Sequence, residues 1–194
     1  RLGWQSLGGL IAAGPSAAPL AVRWAIVGIE LIETMLHIAV VGHVIVGVLR
    51  MFGFRVFRNT YKPLLATSIL DFWNRFYYYF KELLVEFFFF PTYLRWFKRR
   101  PRLRIFAAIM VSVLVGNLYF HVIRDFGEYA SRDISGAADL VASRAFYCLL
   151  LAIGIFVSMV REQERRGGTA HATTATPLAY GRRIAGVWLF YCLI

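Results

Sequence analysis

Apolar runs long enough to cross a membrane alternate with short basic clusters along this chain. Residues 20–49 form the first run. As a helix it exceeds the ~30 Å of bilayer hydrocarbon at ~1.5 Å of rise per residue. Arg23, Glu30, Glu33 and His37 recur there at helical spacing and share one stripe, with His43 toward the opposite side. Lipid penalises such a stripe, so it is expected to face protein or a water-filled cavity. Residues 103–123 and 145–160 read as further membrane helices, and 184–194 as the start of another. Residues 1–19 are rich in Gly, Ala and Pro and read as a loop, with Trp4 as an interfacial anchor. Residues 124–144 have mixed charge and suit an outer loop. Residues 161–183 are basic and polar and read as a mobile cytoplasmic loop.

The segment 64–97 breaks this pattern. It is apolar enough for a membrane, yet it carries Asp71, Asn74, Arg75, Lys81, Glu82 and Glu86. Basic clusters flank it: Arg50, Arg55, Arg58 and Lys62 before, Arg95, Lys98, Arg99, Arg100, Arg102 and Arg104 after. Positive charge marks cytoplasmic loops. With both flanks cytoplasmic, the segment must enter and return, lie along the interface, or hold two short spans. A re-entrant path is allowed only where protein or a cavity satisfies the freed backbone groups. Asp71 and Arg75 can pair at i,i+4, and Phe87 to Phe90 followed by Pro91 reads as a helix end. The expected fold is an all-α, multi-pass transmembrane bundle in one membrane domain, with a re-entrant or interfacial central segment.

Composition supports the membrane reading. The 194 residues are 59% hydrophobic with mean hydropathy +0.58, far more apolar than a soluble domain. The net charge of +11 is explained by loop clusters, so no nucleic-acid partner is expected. Cys148 and Cys192 lie in apolar runs and read as buried free thiols. Glu33 and His37 have a spacing that can place two ligands on one metal, but nothing else supplies a metal signature and none is expected. The chain starts at Arg1 and ends in an apolar run, so it reads as part of a longer protein.

Chemistry centres on two places. His121 ends the third apolar run, with Asn117 four residues earlier on the same face. A straight helix from Leu103 puts His121 about 27 Å along, nearer the outer interface than mid-membrane. A neutral imidazole can act as a general base. The second place is Ser68, then Asp71-Phe72-Trp73 and Arg75, in an aromatic helix followed by a Pro-containing turn and a basic loop.

Together with Gly116, Leu118 and His121, these residues resemble the membrane-bound O-acyltransferase family, closest to its bacterial polysaccharide O-acetylase and teichoic-acid D-alanylation branch. The resemblance covers about residues 61–124. It implies acyl transfer within the membrane from a donor such as acyl-CoA to a hydroxyl acceptor, with no tightly bound cofactor. His121 would be the general base, oriented by Asn117, and Tyr77 a polariser of the donor carbonyl. Asp71, Trp73, Asn74 and Arg75 would line the substrate path. It also implies a bacterial inner-membrane location and a partner protein of the acyl-transfer pathway. The chain departs from the family at Tyr77, where His or Asn is usual, and at Asn74, where a basic residue is common. Two aromatics, Tyr119 and Phe120, precede His121 where Leu-Trp-His is more usual. The alternative is therefore a non-catalytic relative acting as a membrane scaffold or partner-binding protein. A third reading uses the Arg23/Glu30/Glu33/His37 stripe as an ion or proton pathway.

Overall fold

The computed structural model describes Gly9 and residues 19–167 and 176–194. The loop expected over residues 1–19, with Trp4, and the middle of the loop expected over 161–183 lie almost wholly outside the described residues.

Among the described residues the fold is all-helical, without a strand. Helix α1 (Leu20–Met51) starts after Pro19 and ends where Gly53 takes φ 84° and donates its N–H to the Arg50 carbonyl at 3.0 Å. A positive φ suits a residue without Cβ, so this glycine closes the helix. After a short 3₁₀ turn (Pro63–Leu65), α2 (Ile69–Phe76) begins at Ser68, whose hydroxyl accepts from the Asp71 N–H at 3.0 Å. At Tyr77 the backbone leaves the helix (φ −132°, ψ 67°). Helix α3 (residues 78–95) then runs through a widened π turn, Val85–Phe89.

Pro91 does not end this helix, contrary to the sequence expectation. It stands in the first turn after the π segment, where a proline needs no N–H bond, and the helix continues to Arg95. Helix α4 (Pro101–Arg124) also contains a π segment, Met110–Gly116. A short α5 (Phe126–Ala130) leads to α6 (Ile134–Gly167), and α7 spans Pro177–Leu193.

Three of these helices are long and apolar enough to cross a membrane: Leu20–Met51, Pro101–Arg124 and Ile134–Glu164. Helix α6 starts well before residue 145 and runs past 160. The outer loop expected over 124–144 is thus mostly helical, as are both ends of the loop expected over 161–183. The apolar run locates where lipid can be tolerated. The helix itself continues into Arg, Glu and Gln, which are good helix formers in water.

Helix α2 joins two cores. Its Trp73 packs with Leu84, Ile109, Val113, Leu151, Ala152 and Ile155 of α3, α4 and α6. Its Phe72 and Phe76 pack with Met35 of α1, Ala66 and Val187 of α7. Cβ positions on an eight-residue helix point around the axis, so one short element can serve both.

The break between α2 and α3 is stitched by the segment before it. The Thr60 hydroxyl donates to the Phe76 carbonyl at 2.8 Å. The Tyr61 N–H donates to the Arg75 carbonyl at 2.7 Å, and the Tyr78 N–H donates to the Asn59 carbonyl at 3.0 Å. Thr60 is buried. These bonds satisfy backbone groups that a broken helix in an apolar setting would otherwise leave unpaired. Trp188 of α7 in turn donates its indole N–H to the Leu64 carbonyl at 3.1 Å, tying α7 to the same segment.

Candidate active site

A cavity of about 410 Å³ lies between α1, α2, the start of α3, α4, α6 and α7. That is within the size range of small-molecule pockets. Its walls are mainly apolar: Leu31, Met35 and Ile38 of α1 face Phe72, Phe76, Phe80 and Phe120. The polar groups are few. His121, Arg124, Asn117, Tyr77, Tyr147, Tyr191, Thr34 and the Trp73 indole line it.

Of the residues expected from sequence, His121, Asn117, Tyr77 and Trp73 therefore share one cavity. Helix register brings Asn117 and His121 together on α4. The break at Tyr77 turns the chain between Trp73 and Phe80, whose rings meet edge-on at 6.3 Å. Tyr77 packs edge-on against Phe76 at 4.8 Å and against Phe80 at 5.9 Å.

His121 sits in the last turn of α4. Its ring meets Tyr147 edge-on at 5.9 Å. Its Nδ1 lies 2.9 Å from Nη2 of Arg124. Arg124 is held by Asp125 through two bonds, Nε to Oδ1 at 2.7 Å and Nη2 to Oδ2 at 2.9 Å. Arg144 of α6 reaches the same carboxylate at 3.4 Å. The hydrogen bond from Arg124 and the nearby Arg144 charge hold the Asp125 carboxyl below its ordinary value. A guanidinium has only donors, so Nδ1 of a neutral His121 must accept and the ring proton sits on Nε2.

Asn117, expected to orient His121, makes its hydrogen bond elsewhere. Its side-chain amide donates to the Cys148 thiol at 3.5 Å. One helical turn brings the two residues to the same face, but the amide bonds across to α6. Both Asn117 and Cys148 are buried.

The remaining expected residues lie elsewhere. Asp71 and Arg75 pair with each other, Nε to Oδ1 at 2.6 Å, and Asp71 also accepts from the Thr67 N–H at 3.0 Å. Neither residue lines the cavity. Their contacts brace the start of α2. Asn74 is exposed and lines a separate cavity of about 210 Å³, beside Lys81 and Glu82. Gly116 lies against α3: a Cβ there would come within 2.9 Å of Leu84 Cδ2 and of Phe88 Cδ2.

On α1, Glu33 and His37 are exposed and line none of these cavities, while Arg23 and Glu30 are engaged with neighbours. Among the described residues no three His, Cys, Asp or Glu side chains cluster as a metal site.

Sequence reasoning missed Arg124, Asp125, Arg144, Tyr147 and Tyr191. The first two were available as a signal, because Arg124 follows His121 by one helical turn and Asp125 adjoins it. Nothing in the sequence couples the α6 and α7 residues to His121.

Compared with protein-family models, with curated proteins and with solved structures, the chain matches none of them.

Proposed function

We propose that this chain belongs to a multi-pass protein of the bacterial inner membrane. It transfers an acyl group such as acetyl to a hydroxyl of a glycan or other cell-envelope acceptor. The observation that carries this reading is the convergence of His121, Tyr77, Trp73 and Asn117 on one largely apolar cavity. An apolar slot with a few polar groups suits an acyl chain whose reacting carbonyl stops at the polar end.

In this reaction His121 takes the proton of the acceptor hydroxyl at Nε2. The hydroxyl oxygen forms its bond to the carbonyl carbon of a thioester such as acyl-CoA. The carbon–sulfur bond breaks, and the proton returns from His121 to the leaving thiolate. Tyr77 donates a hydrogen bond to the carbonyl oxygen as negative charge develops there. Nε2 can accept a proton only when the ring proton is on Nδ1. The reactive state therefore requires Arg124 to release Nδ1 and rest on Asp125 alone, which already binds it through two bonds.

The topology proposed with this reading places residues 50–62 and 95–104 on the cytoplasmic side, with α2 and α3 entering and returning. The hydrogen bonds of Asn59, Thr60 and Tyr61 across the break support it, since they supply the backbone partners such a path requires. A partner protein would supply or receive the acyl group.

A second reading is a non-catalytic membrane scaffold that binds lipid or a partner chain in this cavity. The Arg124 contact favours it, because it occupies the lone pair of Nδ1 and leaves Nε2 as a donor. Labelled acyl-CoA and vesicles holding the full-length protein separate the two. Transfer by the wild type, lost in His121→Ala with expression and folding intact, is the expected result. Transfer that survives in His121→Ala overturns the mechanism.

A further inference from the structure

A second cavity, of about 280 Å³, opens between the start of α2, the C-terminal part of α6 and the first turns of α7. Its lining is unlike that of the first. Arg161 comes from α6, and Arg182 and Arg183 from α7. The hydroxyl residues Thr67, Ser68 and Ser158 complete the polar wall, and Glu162 supplies the single carboxylate. Three guanidinium groups against one carboxylate leave a net positive cavity. Among the described residues, none of the three arginines has an ion-pair partner. Glu162 is already engaged.

Like charges brought together repel one another, and an anion between them relieves that repulsion. Planar guanidinium forks match the oxygens of a phosphate, and hydroxyl groups add neutral donors. The cavity also stands at a defined depth. Helix α7 turns from Arg182 and Arg183 directly into the apolar run that starts at Ile184, and Arg161 follows the apolar stretch of α6. The arginines thus stand at the ends of two apolar runs, the positions at which basic side chains meet headgroups and water in a membrane helix.

We propose that this cavity binds a phosphate group at the membrane–water boundary, held by Arg161, Arg182 and Arg183. The phosphate is carried either by an anionic lipid headgroup or by a soluble phosphorylated compound. The inference is independent of the acyl-transfer reading, since it concerns another cavity and needs no chemistry at His121.

The test uses the full-length protein in neutral detergent and follows its thermal unfolding midpoint. One arm titrates phosphatidylglycerol against phosphatidylcholine, and the other titrates inorganic pyrophosphate. The wild type is expected to be stabilised in at least one arm, and the responding arm identifies the source. The triple variant R161Q/R182Q/R183Q is expected to lose that response, with single variants R182Q and R183Q each weakening it about tenfold. A matched variant, K98Q/R99Q/R100Q, removes the same charge from the other basic cluster and is expected to keep it. The singles retain the readout if the triple variant fails to fold. No response in either arm overturns the proposal. So does a response that survives in the singles and the triple, or one that the matched variant loses equally.

Discussion

The Nη2 atom of Arg124 lies 2.9 Å from the Nδ1 atom of His121, one helical turn away on α4. Arg124 can only donate, so this contact selects the imidazole tautomer that carries its proton on Nε2. The residue expected to be a base is therefore held, in this state, as a donor. Its conversion to a base depends on where Arg124 rests between His121 and Asp125.

This gives a spectroscopic prediction. Nitrogen NMR of ¹⁵N-histidine-labelled protein is expected to show His121 mainly as the Nε2–H tautomer in the wild type. In Arg124→Gln the neutral tautomers are expected to approach the mixture of a free imidazole. A His121 signal unchanged by the substitution would remove Arg124 from any role in setting the tautomer.

The acyl-transfer reading makes a kinetic prediction. A general base contributes typically 10²–10⁴-fold to rate. His121→Ala is expected to lower transfer by at least about 10²-fold, while Asp71→Asn, which touches neither the cavity nor His121, leaves transfer per folded molecule within about twofold. A large loss in Asp71→Asn at full folding would return Asp71 to the substrate path.

The stitch across the α2–α3 break should be visible in stability. Thr60→Val keeps the shape of the side chain and removes the hydroxyl that serves the Phe76 carbonyl at 2.8 Å. An unsatisfied buried acceptor costs about 1–3 kcal/mol. Unfolding in detergent is expected to move by that amount, and an unchanged midpoint would mean that water reaches the carbonyl.

The approach of α4 to α3 is set by Gly116. The Gly116→Ala methyl would press on Leu84 and on the Phe88 ring, within 2.9 Å of each. Leu84 is buried, so it has little room to yield. Overpacking of this kind costs about 1–3 kcal/mol. Thermal unfolding checks it, and a neutral substitution would show that the two helices can part without loss.

Acid should loosen the end of α4. The Asp125 carboxyl has its affinity for protons lowered, first by the Arg124 hydrogen bond and then by the charges of Arg124 and Arg144, against some opposing desolvation. A lowered folded-state value means stability that is present above the ordinary carboxyl range and lost as pH falls below it. Unfolding measured from neutral pH down to about 3 is expected to show a shallower acid loss in Asp125→Asn than in the wild type. Identical slopes would mean that the carboxylate is equally stabilised in the unfolded chain.

What the sequence determined by itself is local and periodic. Apolar runs located the three membrane-length helices because the hydrophobic requirement is met residue by residue along one segment. Ser68 followed by Asp71 marked the start of α2 because a cap acts within one turn. The His121 and Tyr77 segments were legible as candidate chemistry from residue type and order. Tertiary structure decided everything that depends on which helices meet. It turned Asn117 toward Cys148 and brought Arg144, Tyr147 and Tyr191 to the cavity region. It also carried the helix past Pro91, because a π turn preceding it made room for a residue without an N–H. Helical period fixes the direction of a side chain about its own axis, whereas its partner is fixed by the packing of other helices, and no single-segment pattern encodes that.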